Sequence, residues 1–368
     1  MKDLLAWDQT LFKDSELFEL DHTPEHFLHR DAQLQSLMHC IRPALRGGRP
    51  LNSLCIGSPG TGKTTAVIKI FEEIAKHTPK IVPVLVNCQV NSTRYAVFSQ
   101  VFKKLIGFAP PTSGVSFKKV FGEVTKYLAE HEKVLVVALD DMNYLFYENE
   151  ANDVLYSLLR AHETNPGARV GVIAILSDTG VPHIFDPKVE SVFLPEEIKF
   201  PKYSYDEIKD ILSNRARLGF YPNVLDGAVL DKVAGHTFTL GDLRVGIDLL
   251  KRAALNAERR ANRTISPEDV ESAYESSRLI HLSYVMRALK EDEKRLISLI
   301  ADSPQSNSGE LYEKFHLQTA LGYTTFYEML NKLGSVRLID ADFTGKGERG
   351  RSRVVTLRYQ PGEVKARL

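Results

Sequence analysis

Residues 57–65 read GSPGTGKTT, and they stand between the apolar run LNSLCI and the helix candidate AVIKIFEEIAKH. The spacing matches G-x-x-x-x-G-K-[ST], in which a glycine-rich turn and the first turn of a helix aim backbone N–H groups at a phosphate. In this motif Lys63 reaches the β- and γ-phosphates, and the Thr64 hydroxyl is a ligand of Mg²⁺. The alternative is an ordinary glycine-rich turn with an exposed lysine, but the strand–loop–helix context favours a nucleotide site. We therefore expect ATP or ADP to be held, with Mg²⁺, by the loop residues Ser58, Pro59, Gly60, Thr61, Gly62, Lys63, Thr64 and Thr65.

The bulk composition is that of a globular chain long enough for two or three domains. It has 368 residues, of which 43% are hydrophobic, and its 47 basic side chains balance 47 acidic ones. Any basic surface for nucleic acid must therefore be local. No apolar run approaches the roughly 20 residues of a membrane span, and the acidic, amphipathic N-terminal stretch is not typical of a signal peptide. Three scattered cysteines without a C-x-x-C pair fit a reducing cytoplasm, with neither disulfides nor a zinc site.

The order of apolar and amphipathic stretches predicts three domains. Over residues 1–200 the runs NSLCIG, IVPVLVNC, KVLVVALDD and RVGVIAIL alternate with helical stretches, which predicts an α/β domain with a parallel sheet covered by helices on both faces. Residues 201–280 are helical without a strong strand, which predicts a helical lid. Residues 281–368 read as three helices and then two β-prone runs around a Gly- and Arg-rich turn, the pattern of a winged helix-turn-helix.

Two carboxylates end the third apolar run, KVLVVALDD. Carboxylates at the end of a buried strand are costly unless a cation or hydrogen bonds meet them. Asp140 is interpreted as the partner of Mg²⁺, directly or through water. Asp141 is placed to orient or polarise the attacking water. The alternative is that both residues cap the following helix.

Ser177 and Arg244 are further candidates for the same site. Ser177 ends the run RVGVIAILS, where it either hydrogen-bonds the γ-phosphate or the water, or belongs to a plain strand-end turn. In LGDLRVGIDLL, Asp242 is the expected N-cap, and Arg244 falls in the first helical turn, where a cation opposes the helix dipole. It is either a surface arginine or a contact to the γ-phosphate that makes the orientation of the helical block depend on the bound nucleotide.

The C-terminal block carries the candidate DNA-binding residues. A winged helix-turn-helix lays one helix in the major groove, and here the candidate is the helix at 324–333. Thr324, Thr325 and Tyr327 are expected to face the groove, with Lys332 near a phosphate. A second set has the spacing of a buried stripe and is interpreted as packing: Phe326, Met329 and Leu330.

The turn DFTGKGERGRSRV is the candidate wing. Lys346, Arg349, Arg351 and Arg353 crowd it, and only Glu348 opposes them. Such a run is either a solvated loop or, attached to this three-helix pattern, a phosphate clamp with a steep salt dependence.

The whole chain resembles the AAA+ ATPases and, more narrowly, the archaeal origin-recognition initiator family, which is related to the eukaryotic origin recognition complex and its helicase-loading factor. The resemblance covers nearly the full length. Besides the phosphate loop, it is carried by LFKDSELFELDHTPEHFLHRDAQLQSLMHC, VNCQVNSTRYAVFSQVFKKL, PPTSG, FLPEEIKFPKYSYDEIKDIL and GDLRVGIDLLKRAALNAE.

The resemblance implies a role for particular positions. It makes Lys63 and Thr64 the Walker A residues, and Asp140 and Asp141 the Walker B pair. Ser177 falls at sensor 1 and Arg244 at sensor 2. The remaining assignments are His29 and Arg30 at the adenine edge, and an initiator-specific insertion within about 92–128 that touches DNA, with Phe117, Lys118 and Lys119 as its candidates.

Two departures from the family pattern concern hydrolysis. The usual Walker B ends in Asp-Glu, whereas this chain has Asp140-Asp141, and the usual sensor 1 residue is Asn, whereas here it is Ser177. Shortening a carboxylate by one methylene moves it by about 1 Å, and a misplacement of that size can cost about a hundredfold in rate. We therefore expect a weak, regulatory ATPase in which ATP is a slow switch.

The expected function is that of an ATP-dependent replication initiator in the cytoplasm, associated with the nucleoid. It would bind double-stranded origin DNA through the winged-helix and AAA+ domains, together with other copies of itself, and help to recruit the replicative helicase. The alternatives are an ATP-gated winged-helix transcription regulator, another AAA+ machine such as a clamp loader, and a paralogue that only represses.

Overall fold

The computed structural model describes residues 10–111, 114–177, 185–303, 305–336, 338–343 and 353–368. They form two compact units, one that ends at Ile265 and one that begins at Ser266. The helical block after residue 200 therefore belongs to the first unit as far as residue 265. The expected boundary between residues 280 and 281 falls inside one continuous helix.

The first unit contains a parallel five-stranded sheet in the order β2-β3-β4-β1-β5. Its strands are β1 (Ser53–Gly57), β2 (Ile81–Asn87), β3 (Val134–Asp140), β4 (Arg169–Ser177) and β5 (Glu196–Lys199). The register sets Gly57 beside Ser177 and Asn87 beside Asp140. The ends of four strands thus meet at one edge of the sheet, where ligands bind in open α/β sheets.

Helices cover the sheet and continue into the lid. They follow a 3₁₀ turn at Glu16–Phe18, and they are α1 (Asp31–Leu45), α2 (Lys63–His77), α3 (Arg94–Ile106), α4 (Phe117–Glu130), α5 (Asn143–Tyr147), α6 (Ala151–Leu159), α7 (Ala161–Thr164), α8 (Pro187–Phe193), α9 (Tyr205–Gly219), α10 (Gly227–Leu240) and α11 (Leu243–Arg259).

Strand β3 shows why the sheet has helices on both faces. All seven of its residues are buried, and successive side chains of a strand point to opposite faces. Leu135, Val137 and Leu139 accordingly pack into the core on one face, and Val134 and Val136 pack into the core on the other. Because β3 is buried on both faces of the sheet, its sequence is apolar up to its last residue and does not alternate with polar residues.

The lid helices begin at residues whose side chains cap them. Ser204 and Glu207 form a capping box at the start of α9, and Asp226 caps α10. Helix α10 ends at Gly241, which has a φ of 66°, and Asp242 then caps α11. The predicted N-cap role of Asp242 is present in the structure.

The second unit has the order of a winged helix-turn-helix. Its three-stranded antiparallel sheet is ordered β6-β8-β7. Phe326, Met329 and Leu330 lie in its core, as the stripe predicted, and the fold class expected from the sequence is confirmed. The elements of this unit are α12 (Pro267–Ala288), α13 (Glu291–Asp302), β6 (Gln305–Asn307), α14 (Ser308–Thr319), α15 (Tyr323–Ser335), β7 (Ile339–Phe343), β8 (Arg353–Leu357) and α16 (Pro361–Lys365). Across the described ranges, we find no helix with the length and apolar character needed to cross a bilayer.

Candidate functional site

The phosphate loop holds Lys63 buried at the N-terminus of α2. The side chain is only 6% exposed, and its Nζ donates to the carbonyl oxygens of Gly57 at 2.7 Å and Ser58 at 3.0 Å. Burial lowers the pKa of the Lys63 ammonium, while the carboxylates of Asp141 and Asp140 oppose that shift. The Lys63 ammonium can therefore exchange its hydrogen bonds to the loop carbonyls for hydrogen bonds to phosphate oxygens.

The loop lines a cavity of about 510 Å³. Gly62 has a φ of 91°, and a Cβ there would lie 2.8 Å from Phe27 Cζ and 2.9 Å from the Tyr203 hydroxyl, so the loop approaches its neighbours too closely for any larger residue. A Cβ at Gly57 would lie 2.3 Å from the Phe200 carbonyl oxygen. Away from the loop the lining combines polar and apolar side chains, and its apolar members, against which a nucleotide base can pack, include Pro24, Phe27, Leu28, Ile211 and Ile247.

The Walker B carboxylates lie in the same cavity as the loop. The Thr64 hydroxyl donates to Asp140 Oδ1 at 2.8 Å. Burial raises the pKa of the Asp140 carboxyl, and the Thr64 hydrogen bond opposes that rise. Asp141 adopts a left-handed backbone with a φ of 50°. Neither carboxylate accepts the N-cap hydrogen bond of α5, whose N-cap position is Met142 and lacks a side-chain cap.

The donor set suits Mg²⁺ that arrives with a nucleotide. A hydroxyl and a carboxylate, Thr64 and Asp140, already touch, and oxygen ligands of this kind are what Mg²⁺ prefers. Over the residues that the structure describes there is no group of three or more His, Cys, Asp or Glu side chains that could hold a metal ion unaided. Mg²⁺ shared with phosphate oxygens fits this arrangement better than an all-protein cage.

Ser177 is fixed by Asn143, a residue that the sequence analysis missed. Ser177 donates its backbone N–H to Asn143 Oδ1 at 3.0 Å, and Asn143 Nδ2 donates back to the Ser177 carbonyl at 3.1 Å. The Ser177 hydroxyl lies 3.5 Å from Asp141 Oδ1. Asn143 is only 4% exposed. Its position three residues after the first Walker B carboxylate was the one signal in the sequence.

Arg244 lines the cavity, and its guanidinium is bound to Asp242. Nε donates to Asp242 Oδ1 at 3.1 Å and Nη2 donates to Oδ2 at 3.0 Å. Asp242 in turn lies against the phosphate loop, because a Cβ added at Gly60 would lie 2.0 Å from its Oδ1. The start of α11 therefore contacts the loop directly.

His29 and Arg30 do not line the cavity. His29 Nε2 pairs with Asp210 of α9 at 2.8 Å. Arg30 is 2% exposed and donates to the carbonyl oxygens of His29, Thr61 and Pro201. Its guanidinium also stacks on Tyr203, 3.6 Å from the ring centroid. These hydrogen bonds make Arg30 a brace of the phosphate loop, and the expected contact of His29 and Arg30 with the adenine edge stays a prediction.

The insertion candidates lie at the start of α4. Lys118 and Lys119 are exposed there. Phe117 instead packs edge-on against Phe98 at 5.2 Å, and the Arg94 guanidinium lies over its ring. The two lysines are thus available to a DNA phosphate, whereas Phe117 supports the pairing of α3 with α4.

On the candidate recognition helix α15, Thr324 and Thr325 are exposed and Tyr327 is half-buried. Lys332 has an ion-pair partner within the protein. Its Nζ donates to both carboxylate oxygens of Glu293, at 2.8 and 2.9 Å. Glu293 is 5% exposed. This ion pair joins α15 to α13, and the expected contact of Lys332 with a DNA phosphate stays a prediction.

Arg353 of the expected wing is also held by α15. Its Nη1 donates to Asn331 Oδ1 at 2.8 Å, and its guanidinium lies 4.6 Å from the centroid of the Tyr327 ring. Lys346, Arg349 and Arg351 fall outside the described residues. Their role as a phosphate clamp stays a prediction.

Two family models match the chain and define its class. Residues 26–173 match the AAA ATPase domain, and residues 209–275 match the Cdc6 AAA+ ATPase-type lid domain. The site described above thus belongs to an AAA+ ATPase with a lid of the Cdc6 type.

Similar proteins narrow the class. The chain is 53% identical over 362 residues to the ORC1-type DNA replication protein 2 of Methanosarcina acetivorans, covering 98% of this chain and 97% of that one. It is 50% identical to the ORC1-type DNA replication protein 6 of Halobacterium salinarum, covering 99% and 98%. It is also similar to the structure of the Aeropyrum pernix ORC1 protein in complex with DNA, with a TM-score of 0.75, 26% identity and coverage of 98% and 97%. The chain belongs to the ORC1-type DNA replication protein family, and the family predicted from the sequence is confirmed.

Proposed function

We propose that this protein is an ATP-controlled replication initiator that binds origin DNA, recruits the replicative helicase and uses ATP as a slow switch. The observation that carries the proposal is the 53% identity, over nearly the whole length, to an ORC1-type DNA replication protein. The relative from Aeropyrum pernix is described in complex with DNA. In this chain the winged-helix unit and the start of α4 would bind the duplex.

Each side chain of the nucleotide site has a definite task in this proposal. Lys63 exchanges its loop carbonyls for phosphate oxygens. Thr64 and Asp140 would hold Mg²⁺, which would supply positive charge to the bound phosphates. Asp141 orients the attacking water. Ser177, whose backbone is fixed by Asn143, is within reach of the same water.

The position of Asp141 supports the proposal of slow hydrolysis. An Asp carboxylate ends one methylene short of the Glu that is usual in this family, and it leaves the strand in a left-handed conformation with a φ of 50°. A general base works only within hydrogen-bond reach of its proton. A short carboxylate therefore favours long residence of ATP over rapid turnover.

The experiment that tests the proposal is recovery of genomic fragments by the purified protein, in ATP and in ADP, followed by sequencing. We expect one or a few sites beside replication start points. The double variant Arg349→Ala/Arg351→Ala should lose them and should lower the slope of log affinity against log salt by about two. Lys294→Ala/Arg295→Ala, which removes one half-buried and one exposed cation from α13, is the charge-matched control. Recovery of scattered promoters, or of random DNA, would refute origin binding.

A further inference from the structure

Arg244 and Asp242 form a closed pair at the point where the lid meets the phosphate loop. The two guanidinium donors, Nε and Nη2, take the two carboxylate oxygens, at 3.1 and 3.0 Å. Oδ1 also accepts the Arg244 backbone N–H at 3.0 Å, which is the N-cap bond of α11. A paired, two-donor contact of this kind is one of the strong hydrogen-bonded arrangements in proteins.

The two members of the pair differ in mobility. The Asp242 side chain is 8% exposed, whereas that of Arg244 is 54% exposed. Asp242 is further fixed by the cap bond and by its position against Gly60, where a Cβ would lie 2.0 Å from Oδ1. Arg244 is therefore the member that can turn away, while Asp242 stays in place as the cap of α11.

A γ-phosphate and the Asp242 carboxylate would compete for the same donors. Both are anions that accept two parallel N–H bonds from a guanidinium, and Arg244 lines the nucleotide cavity. If Arg244 is free in only a fraction of the molecules, the apparent affinity for ATP is the affinity of those molecules multiplied by that fraction. ADP has no γ-phosphate, so this competition does not lower its affinity.

We propose that Asp242 sets the discrimination between ATP and ADP, by holding Arg244 until a γ-phosphate displaces it. The inference rests on the proposed function and takes Arg244 as the sensor 2 contact to the γ-phosphate that the family resemblance implies. Asp242 is a positioning residue, since it acts through Arg244. The release of Arg244 converts the presence of one phosphate group into a change of partner for the first turn of α11.

The test compares the affinities of nucleotide-stripped protein for fluorescent ADP and for a fluorescent, non-hydrolysable ATP analogue. Asp242→Asn keeps an N-cap acceptor but removes the charge that holds Arg244. We expect the affinity for the ATP analogue to rise about tenfold relative to that for ADP. Asp248→Asn is the matched control, because Asp248 lies on the same helix and pairs with Arg252 at 2.7 Å, outside the cavity. It should leave the ratio unchanged.

A double variant separates competition from simple repulsion between Asp242 and phosphate. In an Arg244→Ala background, Asp242→Asn should no longer change the ratio. An equal rise in that background, or an unchanged ratio in the single variant, overturns the proposal. Asp242→Ser, which also caps a helix, serves as a second variant if Asp242→Asn folds poorly. The proposed function fails by a different result, namely normal nucleotide affinities without recovery of origin DNA.

Discussion

At the residue scale, two buried cations, Arg30 and Lys63, hold the phosphate loop in different ways. Arg30 directs its donors at fixed backbone carbonyls, including that of Thr61. Lys63 holds the carbonyls of Gly57 and Ser58 in its own loop. A phosphate can replace loop carbonyls without unfolding anything, whereas the Arg30 contacts join separate segments. The difference favours a phosphate contact for Lys63 and a supporting role for Arg30.

Lys63→Ala should lower the affinity for a fluorescent ATP or ADP analogue by about 10–100-fold, because charged hydrogen bonds contribute about 1.5–3 kcal/mol. Titration of fluorescence measures the loss. Lys69→Ala, a change on the same helix that removes the Lys69–Glu72 ion pair, is the control and should bind normally. Unchanged affinity in Lys63→Ala would remove Lys63 from the site.

Asp141→Glu should raise single-turnover ATP hydrolysis about 10–100-fold, since the longer carboxylate recovers roughly 1 Å of reach. Nucleotide affinity should stay unchanged. The left-handed backbone at Asp141 tolerates Glu less well than Asp, so a loss of up to about 1 kcal/mol of stability is expected. Asp141→Asn is the control and should hydrolyse more slowly than wild type. A turnover that does not rise in Asp141→Glu would mean that carboxylate length is not the limit.

At the element scale, α15 is held by its neighbours through charged side chains as well as by its apolar stripe. Lys332 pairs with Glu293 on α13, and Asn331 accepts a hydrogen bond from Arg353 of β8.

The N-terminal segment is held against the lid by polar contacts of the same kind. The Leu11 N–H donates to Glu258 of α11 at 2.7 Å, and Lys251 of α11 pairs with Glu19 at 2.6 Å. Elements far apart in the chain are therefore joined by single polar contacts.

Lys332→Ala should destabilise the winged-helix unit by about 1–2 kcal/mol, because it leaves the buried Glu293 carboxylate without its cation. Hydrogen exchange of peptides from α13 and α15 should become roughly 5–30-fold faster. The salt dependence of DNA affinity should remain that of wild type. A decrease of about one in the salt slope would instead show that Lys332 contacts a phosphate.

At the scale of the whole molecule, the burial of two cysteine thiols makes the stability of the first unit depend on pH above about 9. Burial raises the pKa of the Cys55 thiol to about 12 and that of the Cys40 thiol to about 11. Both thiols lie in the first unit and are at most 1% exposed. The unfolded chain ionises these groups near pH 9, while the folded chain keeps them protonated.

Their contribution to stability is therefore fully present below pH 9 and declines above it, by about 1.4 kcal/mol per pH unit for each thiol. Urea unfolding between pH 8 and 11 measures this decline. The transition of the first unit, which contains the nucleotide cavity, is the one whose midpoint added ADP should shift to higher urea. Cys55→Ala should be less stable at neutral pH because of its cavity, yet its stability should decline less steeply above pH 9. Equal slopes for variant and wild type would show that Cys55 ionises as easily folded as unfolded.

The sequence by itself determined the phosphate loop, the strand that ends in Asp140, the winged-helix order and the family. Those features are local, because they depend on backbone conformation and on the alternation of side chains along one element. Only the tertiary structure decided that Arg244 is bound to Asp242 against Gly60, that Lys332 pairs with Glu293, and that Arg30 braces the loop. A polar side chain takes the partner that folding brings within about 3 Å, and for Arg30 and Pro201 that partner is 171 residues away. Such pairings leave no period or spacing in the sequence, so they become legible only once the chain has folded.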